Sequence, residues 1–273
     1  MARRAVAEVP LEDFNESLNI MIHAMPGAGK TRLGATAPNS VFLSSEPGVI
    51  SARRARAIGG VQGVVKCRKW QDAVDFVDAA ENGDFAHRDW IVVDTISTLQ
   101  EKDMKSILEK AVSDNPNRDP DIPALQDYMK MQNSFMRWFE RMIDLPQNVL
   151  FLSHTMRVDD SEGDTLLIPS IQGGADKGYK VANYCMGLVN LVGFMDRKTV
   201  KDGKATSQVR RLLWQPYYDE EREIRYTAKD HFDALGFTTD DWDMPMIIEA
   251  IESSGVKEDK PATKKTAARR VRS

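Results

Sequence analysis

The chain has 273 residues, 42% hydrophobic and 29% charged, with a formal net charge of −4. This is enough to bury a sizeable core in one large α/β domain, while the balance of charge argues against a strongly basic nucleic-acid binder. No apolar run approaches the roughly 20 residues needed to span a bilayer, and Cys67 and Cys185, like the four scattered histidines, are too few and too isolated for a disulfide framework or a metal site.

Residues 1–16 are read as an N-terminal segment, and "MARRAVAEVPLEDFNES" lacks the apolar centre of a signal sequence, so a cytoplasmic protein is expected. The next run, "LNIMI", reads as a buried strand. It is followed by Ala24-Met25-Pro26-Gly27-Ala28-Gly29-Lys30-Thr31, which fits the phosphate-binding P-loop with alanine in the first place, and then by Arg32 and a short helix. Gly27 and Gly29 allow the tight turn that points backbone N–H groups inward at an anion. Lys30 is expected to reach the β- and γ-phosphates of a nucleotide, and Thr31 to place its hydroxyl on Mg²⁺.

A second strand, "SVFL", leads to Glu46 before Pro47-Gly48. Strand "GVVKC" and an amphipathic helix in "KWQDAVDFVDAAENG" follow, the helix placing Trp70, Ala73, Val74, Val77 and Ala80 on one face. The run Trp90–Val93 then ends in Asp94, a strand-tip carboxylate placed to hold Mg²⁺. Helices are expected over 97–112 and 125–145, separated by a proline- and aspartate-rich loop, and Met131, Phe135, Trp138, Phe139 and Met142 form the apolar face of the second. "QNVLFLSHT" supplies another buried strand with His154 at its tip.

Beyond it the pattern changes to short extended pieces around "SEGD", a glycine-hinged helix in "GGADKGYKVANYC", and a hairpin of "MGLVNLVGFMDRK" with "TSQVRRLLWQP" across "KDGK". Strands alternating with helices and then a run of strands predict a three-layer α/β P-loop NTPase, its mainly parallel sheet extended by antiparallel strands at one edge. The domain is expected to span 17–255. The tail 256–273 is expected to be disordered: Lys257 to Ser273 carries seven Lys or Arg against Glu258 and Asp259, and reads equally as a nucleic-acid arm or a solubilising tail.

Asp94 is followed by Thr95 and not by a glutamate, so the base that activates water must come from elsewhere. Glu46 is the candidate, because the carboxyl ends of parallel strands gather at the nucleotide crevice; the plainer reading is a solvated turn residue. In "AMPGAGKT", "FLSSEPG", "WIVVDTIST", "LFLSHT" and "YTAKDHF" the chain resembles the RecA-type core ATPases, in particular short phage-encoded RecA-like recombinases that act in single-strand annealing, over roughly residues 15 to 237.

That resemblance implies ATP and Mg²⁺ as ligands, Glu46 as the base and His154 as the sensor of the γ-phosphate. It also implies that Lys229 reaches a neighbouring subunit's nucleotide in a homo-oligomeric ring or filament, and that single-stranded DNA lies on loops near 113–124 and 156–180. Those loops carry Arg118, and Arg157, Lys177 and Lys180, among acidic residues, with Tyr179 open either to base stacking or to burial. A nucleotide-gated loader bound to a replication protein such as a helicase or single-strand-binding protein is the alternative. A small-molecule kinase would need an arginine-rich lid, for which "ARRARA" at 52–57 and Arg210-Arg211 are poorly placed.

Overall fold

The structure, a computed structural model, describes residues 17–48, 59–159, 163–173, 179–202 and 205–254. The N-terminal segment, the "ARRARA" run, the hinge at 174–178 and the basic tail lie outside the described residues. Among the described residues no helix is long and apolar enough to cross a membrane.

Six parallel strands form the centre of the sheet. In spatial order they are β3 (Gly63–Lys66), β2 (Ser40–Ser44), β4 (Trp90–Asp94), β5 (Asn148–Asp159), β1 (Asn19–Ala24) and β7 (Leu191–Asp202). Antiparallel β8 (Ala205–Leu213) and β12 (Thr238–Asp240) extend it beyond β7. The architecture is therefore mixed α/β, a large and mostly parallel sheet with added antiparallel strands.

Side-chain alternation divides the core in two. Met21, Leu43, Ile91, Val93, Val149 and Phe151 face α2 (Trp70–Glu81), α3 (Ile96–Asp114), α4 (Leu125–Ile143) and α5 (Lys180–Leu188). Ile20, Ile22, Phe42, Val92, Leu150 and Leu152 face α1 (Lys30–Gly34) and α6 (Met244–Ser254). The α4 stripe is buried as its spacing predicts. On α2 the buried set includes Phe76, which stacks on Phe85 beyond the helix end, while Val74 is only partly buried.

Two elements differ from the sequence reading. Met186–Leu188, expected to open a strand, complete α5, and β7 begins only at Leu191. His154 does not end its strand: β5 runs on to Asp159. Up to His154 it is a central parallel strand beside β1, and from Thr155 it pairs antiparallel with β6 (Thr165–Pro169), which continues into β10 (Ile224–Tyr226) and β9 (Tyr217–Asp219). A strand can change partners without a break because its ladder groups are satisfied on both stretches.

Two close approaches require glycine. A Cβ at Gly34 would lie 2.9 Å from Val92 Cγ1, which lets α1 sit directly on the sheet, and one at Gly193 would lie 2.7 Å from Ile22 Cδ1 and 2.8 Å from Trp214. Trp214 is fully buried and donates its indole N–H to Thr239 Oγ1 at 2.9 Å, so it cannot readily retreat. Gly193→Ala is expected to destabilise by about 1–3 kcal/mol through overpacking; a thermal melt within experimental error of the parent would contradict the close packing of β1, β7 and Trp214.

Candidate active site

The carboxyl ends of β1, β2 and β4 converge with the end of the parallel stretch of β5, and Lys30, Ser44, Asp94, Thr95, Ser97 and Ser153 are buried there. The loop after β1 turns through Gly27 (φ 82°) and Gly29 (φ 112°), the left-handed conformations that a compact anion-binding loop uses. Lys30 is buried, and its ammonium donates to the carbonyls of Ala24 (2.9 Å) and Met25 (3.4 Å). Burial lowers its pKa, opposed by the charges of Glu46 and Asp94. Met25, Pro26 and Gly27 are exposed at the loop crest, as is Arg32.

Thr31 donates its hydroxyl to Asp94 Oδ2 at 2.8 Å. Asp94 is 1% exposed, and burial pushes its carboxyl up to about 6 against the Thr31 bond that favours the ionised form. Its other oxygen, Oδ1, is buried with no hydrogen-bond partner. A carboxylate oxygen in that position, beside a hydroxyl, is the hard oxygen donor set that suits a small divalent cation.

Glu46 lies at the same end of the sheet. Its Oε1 accepts from Thr95 Oγ1 (2.7 Å), Thr98 Oγ1 (2.7 Å) and His154 Nε2 (2.8 Å). The His154 bond above all, with the two hydroxyls, outweighs burial and holds the Glu46 carboxyl down at about 2. His154 Nδ1 is 3.5 Å from Lys30 Nζ. Because an ammonium only donates, Nδ1 accepts and Nε2 carries the proton given to Glu46. His154 therefore bridges the P-loop lysine and the glutamate.

The surrounding strand ends are fixed by short hydroxyl contacts. Ser45 Oγ meets the Asp94 and Thr95 carbonyls and accepts from the Thr95 N–H. Ser97 Oγ accepts from the His154 N–H at 3.0 Å. Fully buried His23 donates Nε2–H to the Thr227 carbonyl and accepts at Nδ1 from Thr155 Oγ1, both at 3.0 Å, and burial drives its pKa down to about 4. That keeps the ring neutral and ties β1 to β5 where β5 changes partners.

Of the residues singled out in the sequence, the structure brings together the loop from Ala24 to Thr31 with Glu46, Asp94 and His154. Lys229, in β11 (Lys229–Asp230), stands apart within the chain. It pairs beside Val192, near the start of β7, and its ammonium donates to the carbonyls of Met186, Gly187 and Val189 at the end of α5. Thr98, Ser45 and Ser97 escaped the sequence reading, although Thr95 and Thr98 stand three apart at the start of a helix, where hydroxyls share one face.

His154→Ala is expected to bring the Glu46 carboxyl back up toward its ordinary range. The sign follows from removing the main donor to the ionised form, and side-chain carboxyl NMR titration reads it directly. A midpoint that stays near 2 would show that the two threonines alone set the shift.

The family described as an AAA domain matches residues 16–234. No curated protein matches the chain. The match includes the P-loop, Glu46, Asp94 and His154 and takes in most of the sheet. The chain belongs to the AAA-domain family, and its clustered residues lie in an AAA-type P-loop ATPase-like domain.

Proposed function

We propose that this chain is a Mg²⁺-dependent ATPase of the RecA-like type whose hydrolysis is coupled to single-stranded DNA in phage-type recombination, annealing or repair. The reading is carried by one observation: Lys30, Thr31, Glu46, Asp94 and His154 meet at the carboxyl end of one parallel sheet. In it, the loop N–H groups and Lys30 bind the phosphates, the ammonium leaving the carbonyls of Ala24 and Met25 to do so. Thr31 and Asp94 would hold Mg²⁺, which when bound offsets the charge developing on the phosphoryl oxygens. Glu46 orients the attacking water and takes its proton. His154, bonded to both Lys30 and Glu46, passes the presence of a terminal phosphate to the base. Lys229 acts across a subunit interface in a ring or filament.

A second reading is a nucleotide-gated loader that binds a replication protein, and the 113–124 region favours it. Arg118, the cation there, is engaged by the buried carboxylate of Asp127, whereas Ile122, Leu125 and Met129 are exposed at 65%, 80% and 57%. Exposed apolar side chains with the local cation already paired suit a protein better than a phosphate backbone. ATPase measured with and without single-stranded DNA separates the two. Stimulation together with salt-sensitive DNA binding supports the DNA-coupled ATPase, and no stimulation with capture of a replication protein supports the loader.

Glu46→Gln keeps the size and accepting oxygen but loses the base, so single-turnover hydrolysis is expected to fall about 10²- to 10⁴-fold with Mg²⁺–ATP binding retained. Near-normal hydrolysis would remove Glu46 from the reaction. Asp94→Asn removes a buried carboxylate held at a cost to the nucleotide-free protein. Its melting temperature without ligand is therefore expected to be no lower than the parent's, while the Mg²⁺-dependent rise on adding nucleotide is lost. A destabilised protein that keeps that rise would make Asp94 a packing residue only.

A further inference from the structure

The β7–β8 hairpin places a second pair of cations against the P-loop. Arg197 and Arg210 are direct cross-strand partners, so their side chains leave the same face of the hairpin. It is the face of Met195 and Leu212, which pack in the core beneath α1. Arg197 Nε lies 3.5 Å from the Ala28 carbonyl. The Arg210 stem runs past Gly29, where an added Cβ would come within 3.1 Å of Cδ. Gly29 is required for its φ of 112°, and the Arg210 stem packs against its bare Cα.

Two like charges directly opposed on an antiparallel pair repel each other, and among the described residues little offsets them. The Arg210 guanidinium is 3.7 Å from Asp241 Oδ1, an oxygen already taken by the Arg210 backbone N–H at 2.8 Å, and Nη1 is buried with no hydrogen-bond partner. Arg197 has two long contacts to neutral oxygens, at Ala28 and, at 3.4 Å, Gln208. The neighbouring Arg211 is different: Asp240 holds it through two bonds of 2.7 and 2.8 Å. A guanidinium with one buried, unpartnered nitrogen on Arg210, faced by the exposed guanidinium of Arg197 beside a phosphate-binding loop, suits an anion, and planar guanidinium forks match phosphate oxygens.

We propose that Arg197 and Arg210 are nucleotide-binding residues acting within their own chain, a clamp on the α- and β-phosphates held by the Ala28–Gly29 part of the loop. The proposal rests on the nucleotide-binding reading above. It assigns the hairpin a role separate from Glu46 and His154, which act at the γ-phosphate end. ADP and ATP share the clamped phosphates, so both ligands depend on the arginines equally.

The test is calorimetric titration of ADP, of a non-hydrolysable ATP analogue and of inorganic pyrophosphate into the parent, Arg197→Gln, Arg210→Met and Lys30→Ala, with thermal melts of each protein without ligand. Methionine retains the stem against Gly29 and removes only the charge. Each arginine variant is expected to bind all three ligands about 10- to 100-fold more weakly, the worth of a charge-assisted hydrogen bond to phosphate. Arg210→Met without ligand should melt no lower than the parent, because it sheds an unpaired buried donor. Parent-like affinities overturn the proposal, as does a loss matched by an equal fall in melting temperature, which would mean loop packing alone. Weakening confined to the ATP analogue, or sparing pyrophosphate, overturns the assignment to the α- and β-phosphates. If Lys30→Ala also binds like the parent, the nucleotide reading itself fails; if only Lys30→Ala is impaired, the clamp alone fails.

Discussion

A parallel sheet covered by helices on both faces has no wall on which to carry polar side chains, so its chemistry is confined to the strand ends. Here β1, β2 and β4 are buried along their whole length, and β5 as far as Ser153. Lys30, Asp94, Thr95, Ser97 and Ser153 are all buried at or just past one end of the sheet. The site follows from that constraint. Strand order decides which groups meet there: β5 lies between β1 and β4, so His154 emerges between the P-loop and Asp94, within reach of Lys30 on one side and Glu46 on the other.

Burial sets the electrostatics of this group. Asp94 is raised and Lys30 lowered by the same cause, loss of water around a charge, and each is in part restored by the other's proximity. Glu46 moves in the opposite direction because three donors meet its Oε1 and outweigh its partial burial. Two carboxylates a short way apart thus have different properties, one poised near neutrality and one firmly ionised.

Much of this was legible in the sequence because it is local. The loop from Ala24 to Thr31 announces itself by glycine spacing, Asp94 by ending an apolar run, and α4 by its stripe. Features that depend on tertiary pairing were not. The change of partners along β5 at Thr155 is invisible because "HTMRVD" has no turn residue to mark where one set of partners gives way to another. The single-chain setting of Lys229 depends on where α5 ends, which the apolar run from Met186, suited equally to a strand, obscured. Arg210 lies 180 residues from Lys30, and only the cross-strand register with Arg197 brings the pair to the loop at Ala28 and Gly29.

The arrangement around Glu46 also bears on how such a site would be restrained. A carboxylate that three donors hold well below its ordinary range takes up a proton less readily than a free one, which bears on the proposed role of Glu46 as the base. Under that proposal Oε1 would become more basic by losing donors, of which His154 lowers it most. His154 is in turn linked to Lys30, whose ammonium is occupied by the Ala24 and Met25 carbonyls. An anion that drew Lys30 away from those carbonyls would also change the acceptor environment of His154 and, through it, the basicity of Glu46. The loop lysine and the Glu46 carboxylate are thus joined through one imidazole, each ring nitrogen meeting one of them.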